Sequence, residues 1–269
     1  MKHAFGRAAT LIVAASVIFG AGACADKNDG AATPAATAAS SKAPEPKDVL
    51  AGALAGYEKG VYSVDFAGLD STGQAAIDTP KKQAYLKIGG SGQGFSITME
   101  VLLIEPDAYV KLDLGAMAEI YGVAQGNGKT WMHLDRSKVK DAESLGLSAD
   151  ETDMLDLKAL LQSAQSVQAA GDRKYKGTLD LAKGAGSPMT DEDVIKALAN
   201  KAASVPFTAT LDAQGRLAEL LIDVPAAGDK KAYQLKLTVT QYGSATVPAK
   251  PTGNAVIEAP ATVYGFFNN

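Results

Sequence analysis

Cysteine and histidine carry much of the nucleophilic and metal chemistry of proteins, and this sequence has very few of either. Its 269 residues contain one cysteine, Cys24, and two histidines, His3 and His133. A Ser-His-Asp or Cys-His arrangement, or a zinc site of the usual composition, could be assembled only around His133. We predict instead that His133, within Trp131-Met132-His133-Leu134, is a hydrogen-bonded strand residue. We therefore expect a protein that is not an enzyme, with no catalytic residue, no metal and no cofactor.

Two glycine-containing runs could be mistaken for nucleotide-binding loops. Gly126-Asn127-Gly128-Lys129-Thr130 resembles the end of a phosphate loop, but Val123 stands where its first glycine is expected. A phosphate loop must also open a helix, whereas this run leads into the strand-like residues 131–134. The glycines at 89–94 lie between two alternating runs, so we interpret them as a turn.

Paired carboxylates could in principle hydrolyse a glycosidic bond. The pairs in question are Asp150 with Asp153 and Asp191 with Asp193. Both pairs fall where helices are predicted to start, and acidic residues there complement the helix dipole. A hydrolase is therefore the weakest of the functions that we consider.

The only cysteine follows a short apolar stretch near the N-terminus. Lys2 and Arg7 precede the apolar residues 8–20, which are too few to span a bilayer comfortably. Small residues then lead directly to the thiol in Ala21-Gly22-Ala23-Cys24, although Ala21 stands where Leu is usual. We predict that residues 1–23 are a signal peptide with a lipobox ending at Cys24 and that Cys24 is the lipid attachment site. The alternative is plain secretion with a free thiol.

Lipidation at Cys24 would place the protein on the extracytoplasmic side of the cell membrane, because two or more acyl chains anchor a protein stably. Residues 24–47 are rich in Ala, Ser, Thr and Pro and contain no large apolar side chain, so we interpret them as a lipidated N-terminus and flexible tether. The net charge of −4, with scattered Lys and Arg, argues against nucleic acid as a partner.

Period-two alternation of apolar and polar residues dominates the rest of the chain and predicts antiparallel strands. The apolar positions are Tyr62, Val64 and Phe66; Ala84, Leu86 and Ile88; Phe95 to Leu103; Ala108 to Leu114; Tyr175, Leu179 and Leu181; Val205 to Leu211; Ala218 to Val224; and Tyr233 to Val239. Trp131–Leu134 is a further short strand. Turn residues separate several runs, as in Glu105-Pro106-Asp107 and Asp212-Ala213-Gln214-Gly215.

Helical spacing occurs in three places: Asp48–Tyr57 with Asp48 as N-cap, Thr152–Gln165, and Thr190–Ala202, where Thr190 and Asp193 resemble a capping box. Many short strands with few helices predict an α+β fold, an antiparallel sheet with helices laid on one face. We expect one domain over residues 48–269, with an irregular C-terminal tail from about residue 248.

The chain resembles the LppX/LprG-type lipoproteins of actinobacteria, relatives in fold of the LolA and LolB carriers. The resemblance covers about residues 48–250 and rests, besides the lipobox, on three segments in order: Asp172–Asp180, Val205-Pro206-Phe207 leading to Asp212–Arg216, and Tyr242-Gly243 with Val247-Pro248. It implies a curved antiparallel half-barrel, with helices packed on the concave face and an apolar cavity that holds acyl chains. The stretch Leu145–Leu157 has no clear place in this pattern.

Within such a fold, one apolar wall would line the cavity. Its residues would be Leu86, Ile88, Phe95, Ile97, Met99, Val101, Val110, Leu112, Leu220, Ile222, Leu235 and Leu237. The leading hypothesis is thus a lipoprotein that binds or transfers lipid or lipidated molecules, with the membrane, an acyl-chain lipid and a membrane transporter or acceptor as partners. The alternative is a non-catalytic adaptor or sensor with a fully packed interior, which periodicity cannot distinguish from a lipid pocket.

Overall fold

A large open β-sheet organises the molecule. The computed structural model describes residues 43–55, 60–68, 71–92, 95–119, 128–140, 155, 157–184 and 192–268. Within these ranges twelve strands form one curved sheet in the order β12-β6-β5-β4-β3-β2-β1-β11-β10-β9-β8-β7. Every neighbouring pair is antiparallel except β12 and β6, which run parallel. The sheet does not close into a barrel, so β7 and β12 are its edges.

The strands are β1 (Val61–Ala67), β2 (Ser71–Asp78), β3 (Gln83–Gly92), β4 (Phe95–Ile104), β5 (Asp107–Asp113), β6 (Trp131–Leu134), β7 (Gln165–Gly171), β8 (Lys174–Leu179), β9 (Val205–Leu211), β10 (Leu217–Val224), β11 (Tyr233–Thr240) and β12 (Val256–Glu258). The described helices are α1 (Pro46–Gly52), α2 (Leu157–Gln162), α3 (Glu192–Leu198) and α4 (Ala261–Asn268). The predicted α+β class is confirmed.

Strand pairing places the predicted apolar positions side by side. Val64 pairs with Ala75, Ala75 with Leu86, Leu86 with Val101, and Val101 with Val110. Successive side chains of a strand point to opposite faces, so this row belongs to one face of the sheet. We call the face that carries it the inner face and the opposite one the outer face.

All four helices pack into the same hydrophobic core as the inner face. Leu50 of α1, Leu160 of α2, Leu198 of α3 and Val263 of α4 are each at most 3% exposed and belong to one cluster with the strand residues. Helices shorter than about 12 residues are marginal in isolation, so their stability comes from this apolar stripe against the sheet.

The observed helices are shorter than predicted. Helix α1 begins at Pro46 after the extended residue Glu45, because proline suits the first helical position, and Asp48 lies in the first turn instead of serving as N-cap. Helix α2 covers only part of the predicted Thr152–Gln165, because the chain enters strand β7 at Gln165. The Thr190 capping residue lies outside the described residues.

Three strands have no counterpart in the prediction, namely β2, β7 and β12. Half of β2, Ser71 to Gln74, is polar or glycine, and β7 (QSVQAAG) is largely exposed, so neither shows apolar alternation. The interpretation of residues 89–94 as a turn was wrong for residues 89–92, which lie within β3 and pair with β4. Main-chain hydrogen bonds to neighbouring strands hold these segments in the sheet despite their weak patterns.

The C-terminal region is more regular than predicted. After β11 the chain passes from the middle of the sheet to its edge, where β12 pairs with β6. Helix α4 then places Val263 and Tyr264 in the core. The expected irregular tail from about residue 248 therefore ends near Gly253, and the residues beyond it are an integral part of the fold.

Candidate functional site

The predicted apolar wall lies on a single face of the sheet. Eight of its twelve members are at most 5% exposed: Leu86, Val101, Val110, Leu112, Leu220, Ile222, Leu235 and Leu237. Two sets of strands contribute, β3 to β5 on one side of β1 and β10 with β11 on the other. Phe66 of β1 joins them, since its partner Leu237 pairs in turn with Leu220.

Burial along the wall is uneven. Ile88, Ile97 and Met99 pack against the core but are only partly buried. Leu86 and Val101, two residues from Ile88 and Met99 on the same face, are buried. Ile88 pairs with Met99, and Ile97 pairs with Gly90, so the three cluster where β3 and β4 approach their connecting turn. The burial of the Phe95 side chain lies outside what the structure describes. The wall thus runs from a closed middle to a more open end.

Small residues lie on the inner face beside this open end. Gly73 pairs with Phe66 on one side and with Ile88 on the other. A Cβ atom built on Gly73 would lie 2.1 Å from the Phe66 ring, so the ring rests directly on the glycine backbone. Ala75 and Ala84 continue the inner face of β2 and β3 with side chains of one carbon. Sequence alternation indicated Ala84 but not Gly73 or Ala75, because β2 has no large apolar residue before Ile77.

A polar groove of about 440 Å³ lies at the same end of the sheet. Its lining is made of Gly68, Ser71, Thr72, Gly89, Gly90, Ser91 and Ser96. By strand parity, Ser71 and Gly90 lie on the inner face beside Ile97. Thr72, Gly89 and Ser96 lie on the outer face, so the groove lies at the rim of the sheet, next to the open end of the wall. The groove offers hydroxyl and main-chain groups but none of its lining residues is charged.

His133 lies in β6 on the outer face, away from the wall, and its side chain is hydrogen-bonded, as predicted. Its Nε2 is 3.2 Å from Asp107 Oδ1 and its Nδ1 is 3.1 Å from Glu258 Oε1. The ring also lies 5.3 Å from the Tyr109 ring, measured between centroids. His133 therefore connects β5, β6 and β12.

Lys250 completes this outer cluster by bonding the other oxygen of Asp107. The hydrogen bond from Lys250 lowers the pKa of the Asp107 carboxyl; partial burial opposes this effect, and the positive charge of Lys250 and the bond to His133 reinforce it. The same bond raises the pKa of Lys250. These contacts hold the C-terminal segment, through Lys250 and Glu258, against the outer face of β5 and β6.

The remaining candidate residues do not converge on a second site. Gly128 has a φ of +66°, donates its N–H to the Leu112 carbonyl and is followed by β6, so it belongs to a turn before a strand. Asp193 is exposed in the first turn of α3. Cys24, Asp150, Asp153 and Asp191 lie outside the described residues.

Where the chain is described, no group of three or more His, Cys, Asp or Glu side chains could hold a metal ion. In the same residues, no helix combines the length and apolar character needed to cross a membrane.

Comparison with known proteins adds no relative, since neither a protein-family model nor a curated protein sequence gives a match to this chain.

Proposed function

We propose that this protein is a membrane-anchored lipoprotein of the extracytoplasmic side, which binds or transfers a lipid or lipidated molecule along the inner wall of its sheet. The observation that supports this most is the change in burial along β3 and β4. Val101 is 3% exposed, whereas Met99, two residues away on the same face, is only partly buried. A wall that is sealed in its middle and open at one end suits the entry of an acyl chain.

The energetics favour such a ligand. Each CH₂ group transferred from water to an apolar surface gains about 0.8 kcal/mol, so a long acyl chain against the open end gains considerably from burial. The space above Gly73 is taken by the Phe66 ring, and Ala75 and Ala84 are each 3% exposed, so this part of the inner face is closed. The surface left for an acyl chain is therefore the partly buried end of the wall at Ile88, Ile97 and Met99.

An amphiphile also needs a place for its polar end. The groove of Gly68 to Ser96 borders the open end of the wall and offers hydroxyl and main-chain hydrogen-bonding groups. We expect the acyl part to lie against Ile88, Ile97 and Met99 and the polar part to leave through this groove. This arrangement would keep the acyl chains away from water while a membrane transporter or acceptor engages the polar end.

The fold implied by the LppX/LprG resemblance, with helices covering the concave face of a half-barrel, agrees with this proposal. It rests on the sequence motifs quoted above and on an open curved sheet whose core includes all four described helices. Lipidation of Cys24 is the second part of the proposal and concerns the anchor rather than the cavity.

A non-catalytic adaptor or sensor is the second candidate. The observation in its favour is that eight of the twelve wall residues are at most 5% exposed, as they would be in a fully packed core. In that case the domain would present a surface to a membrane partner and carry no small ligand.

Tryptophan substitutions on β4 separate the two candidates. Met99→Trp should fill the space of the acyl chain, so the variant folds with near-parent stability but no longer retains lipid. Val101→Trp on the closed middle should be overpacked, at a cost of about 1–3 kcal/mol. Thr98→Trp places the same side chain on the outer face and is the control that should retain lipid. The measurements are mass spectrometry of an organic extract of the purified protein and urea unfolding.

A different result from the same measurements would favour the packed adaptor. Parent protein without stoichiometric lipid, together with destabilisation of Met99→Trp comparable to that of Val101→Trp, would contradict lipid carriage and favour the packed adaptor.

A further inference from the structure

The strands at one end of the sheet carry no carboxylate, and Asp172, in the turn between β7 and β8, is paired with Arg173 at 3.1 Å. Strands β7, β8 and β9 have the sequences QSVQAAG, KYKGTL and VPFTATL, which contain no Asp or Glu and two lysines. Tyr175 packs against the core and its partner Ala209 is buried, so the positions on either side of them face outward. Lys174, Lys176, Thr208 and Thr210 therefore share the outer face of these strands, which we call the basic face.

The lysines of the basic face differ from those of the other described strands. Lys87, Lys111 and Lys236 each have a carboxylate within 4.0 Å, namely Glu100 for the first two and Glu219 for the third. Lys174 and Lys176 are exposed and make no ion pair within the described residues. Their positive charge is thus available to a partner, whereas the charge of the other strand lysines is neutralised locally.

A shallow groove of about 300 Å³ lies across these strands. Ser166, Gln168, Lys176, Thr178 and Thr208 supply hydrogen-bonding groups to its lining. Asp223 is at its far rim, where its Oδ1 accepts a hydrogen bond from Gln234 Nε2 at 2.8 Å. The groove thus carries one carboxylate at the β10 rim, and towards β8 and β7 it presents one ammonium group, hydroxyls and amides, which are ligands for phosphate oxygens.

Chain connectivity narrows the choice of partner. Helix α1 is the first described element, and it packs beside β7. Cys24, the predicted lipid attachment site, precedes this helix by about 20 residues of sequence. If Cys24 is lipidated, a segment of that length would keep the domain within a few tens of ångströms of its anchor. The membrane surface would then be an anionic partner within constant reach of the domain.

We propose that the basic face of β7, β8 and β9 docks on the anionic lipid headgroups of the membrane that anchors the protein. This inference rests on the proposed anchoring at Cys24 but not on lipid carriage. One lysine near an anionic bilayer strengthens binding by about five-fold, and the effect fades within a Debye length. Two lysines would bind weakly alone, but tethering raises the effective concentration of the surface enough to make the contact populated.

The test uses the full lipidated protein reconstituted on vesicles of pure phosphatidylcholine or of phosphatidylcholine with phosphatidylglycerol. Amide hydrogen exchange should slow in β7 and in the β7–β8 turn, by at least about three-fold, only on the anionic vesicles. High salt should reverse the effect. Lys174→Gln with Lys176→Gln should abolish it, with unfolding in urea unchanged.

The matched control is Lys230→Gln with Lys231→Gln, which removes the same charge from the turn between β10 and β11 and should leave the protection intact. Equal exchange on both kinds of vesicle would overturn docking and leave lipid carriage untouched. Protein that fails to float with either vesicle would overturn both anchoring and docking. Protection of the same strands by a soluble polyanion, with none on anionic vesicles, would assign the face to a different partner and refute the membrane.

Discussion

At the scale of single residues, the outer cluster around Asp107 shows how a charge network can stabilise structure in a protein with one cysteine and two histidines. His133, Lys250 and Glu258 all converge on or near the Asp107 carboxylate, and two of them belong to the C-terminal segment. Such pairs contribute modestly because Lys250 and Glu258 are largely exposed. Their role is to fix the path of the chain across the outer face.

We predict that Asp107 makes stability depend on pH on the acid side. Its folded-state pKa is lowered, chiefly by the hydrogen bond from Lys250. The stabilisation is therefore complete above the unfolded value of about 4 and is lost as the pH falls through the folded pKa. Asp107→Asn should lower the free energy of unfolding at pH 7 by about 1 kcal/mol at most, and the difference from the parent should shrink towards pH 2.5.

Urea unfolding at pH 7, 4 and 2.5 measures this difference. Asp65→Asn makes the same chemical change at an exposed position of β1 that has no ion pair among the described residues, so it should stay close to the parent at pH 7. A deficit of Asp107→Asn that is constant across the three pH values would show that the Lys250 contact is not responsible.

At the scale of elements, the C-terminal segment extends and closes the fold. Strand β12 adds to β6 through three residue pairs, and α4 then turns Val263 and Tyr264 into the core. The Tyr264 hydroxyl accepts a hydrogen bond from the Asp135 N–H at 2.9 Å, and Asn268 bonds the main chain at Lys138 and Lys140. Helix α4 is therefore joined to the loop after β6 at its middle and at its C-terminal end.

Because Val263 is 0% exposed, a charge at this position should detach α4 or destabilise the whole domain. We expect Val263→Asp to lower the free energy of unfolding by at least about 2 kcal/mol. Thr262→Asp introduces the same charge one residue earlier, at an exposed position in the first turn where a carboxylate is favourable, and should change stability by less than about 0.5 kcal/mol. Equal thermal unfolding of the two variants would mean that α4 does not support the core.

At the scale of the whole molecule, an open sheet presents two different surfaces to its surroundings. The inner face is apolar and shares one hydrophobic core with the described helices, whereas the outer face carries the charge networks and the basic face. If the protein is anchored through Cys24, the basic face would turn one end of the sheet towards the membrane. The open end of the inner wall, at the β3–β4 turn, lies on the other side of β1 in the strand order.

The anchor itself is tested by Cys24→Ala, which removes the only thiol of the chain. Without diacylglyceryl attachment we expect the protein to move from the membrane fraction to the soluble secreted fraction. Cell fractionation with a high-salt wash measures this. Ala25→Ser, a small change just after the cysteine, should remain membrane-bound; a Cys24→Ala protein that also resists the wash would contradict the lipoprotein hypothesis.

Sequence periodicity alone determined most of the sheet. The strands with strict apolar alternation, such as β1, β4, β5 and β9, were predicted with the correct inward parity, and every described wall residue lies on the inner face. In β10 the prediction was wrong at Ala218, because a bulge between Leu217 and Glu219 makes Leu217 the buried residue. Parity is readable because each apolar side chain must leave water on the same side of the pleat. The scarcity of histidine and cysteine was likewise a property of composition and needed no fold.

Only the tertiary structure shows how distant segments of the chain pair and how deeply each side chain is buried. Strands β2 and β7 are polar or glycine-containing segments that become strands because neighbouring strands supply their hydrogen bonds, and β12 pairs with β6 across more than 120 residues of chain. Three further features depend on which strands meet. These are the change in burial along the wall, the contact of the Phe66 ring with Gly73, and the lysines of β8 that make no ion pair among the described residues. Pairing between distant segments is governed by the summed burial and hydrogen bonding of the whole sheet, which no window of the sequence contains.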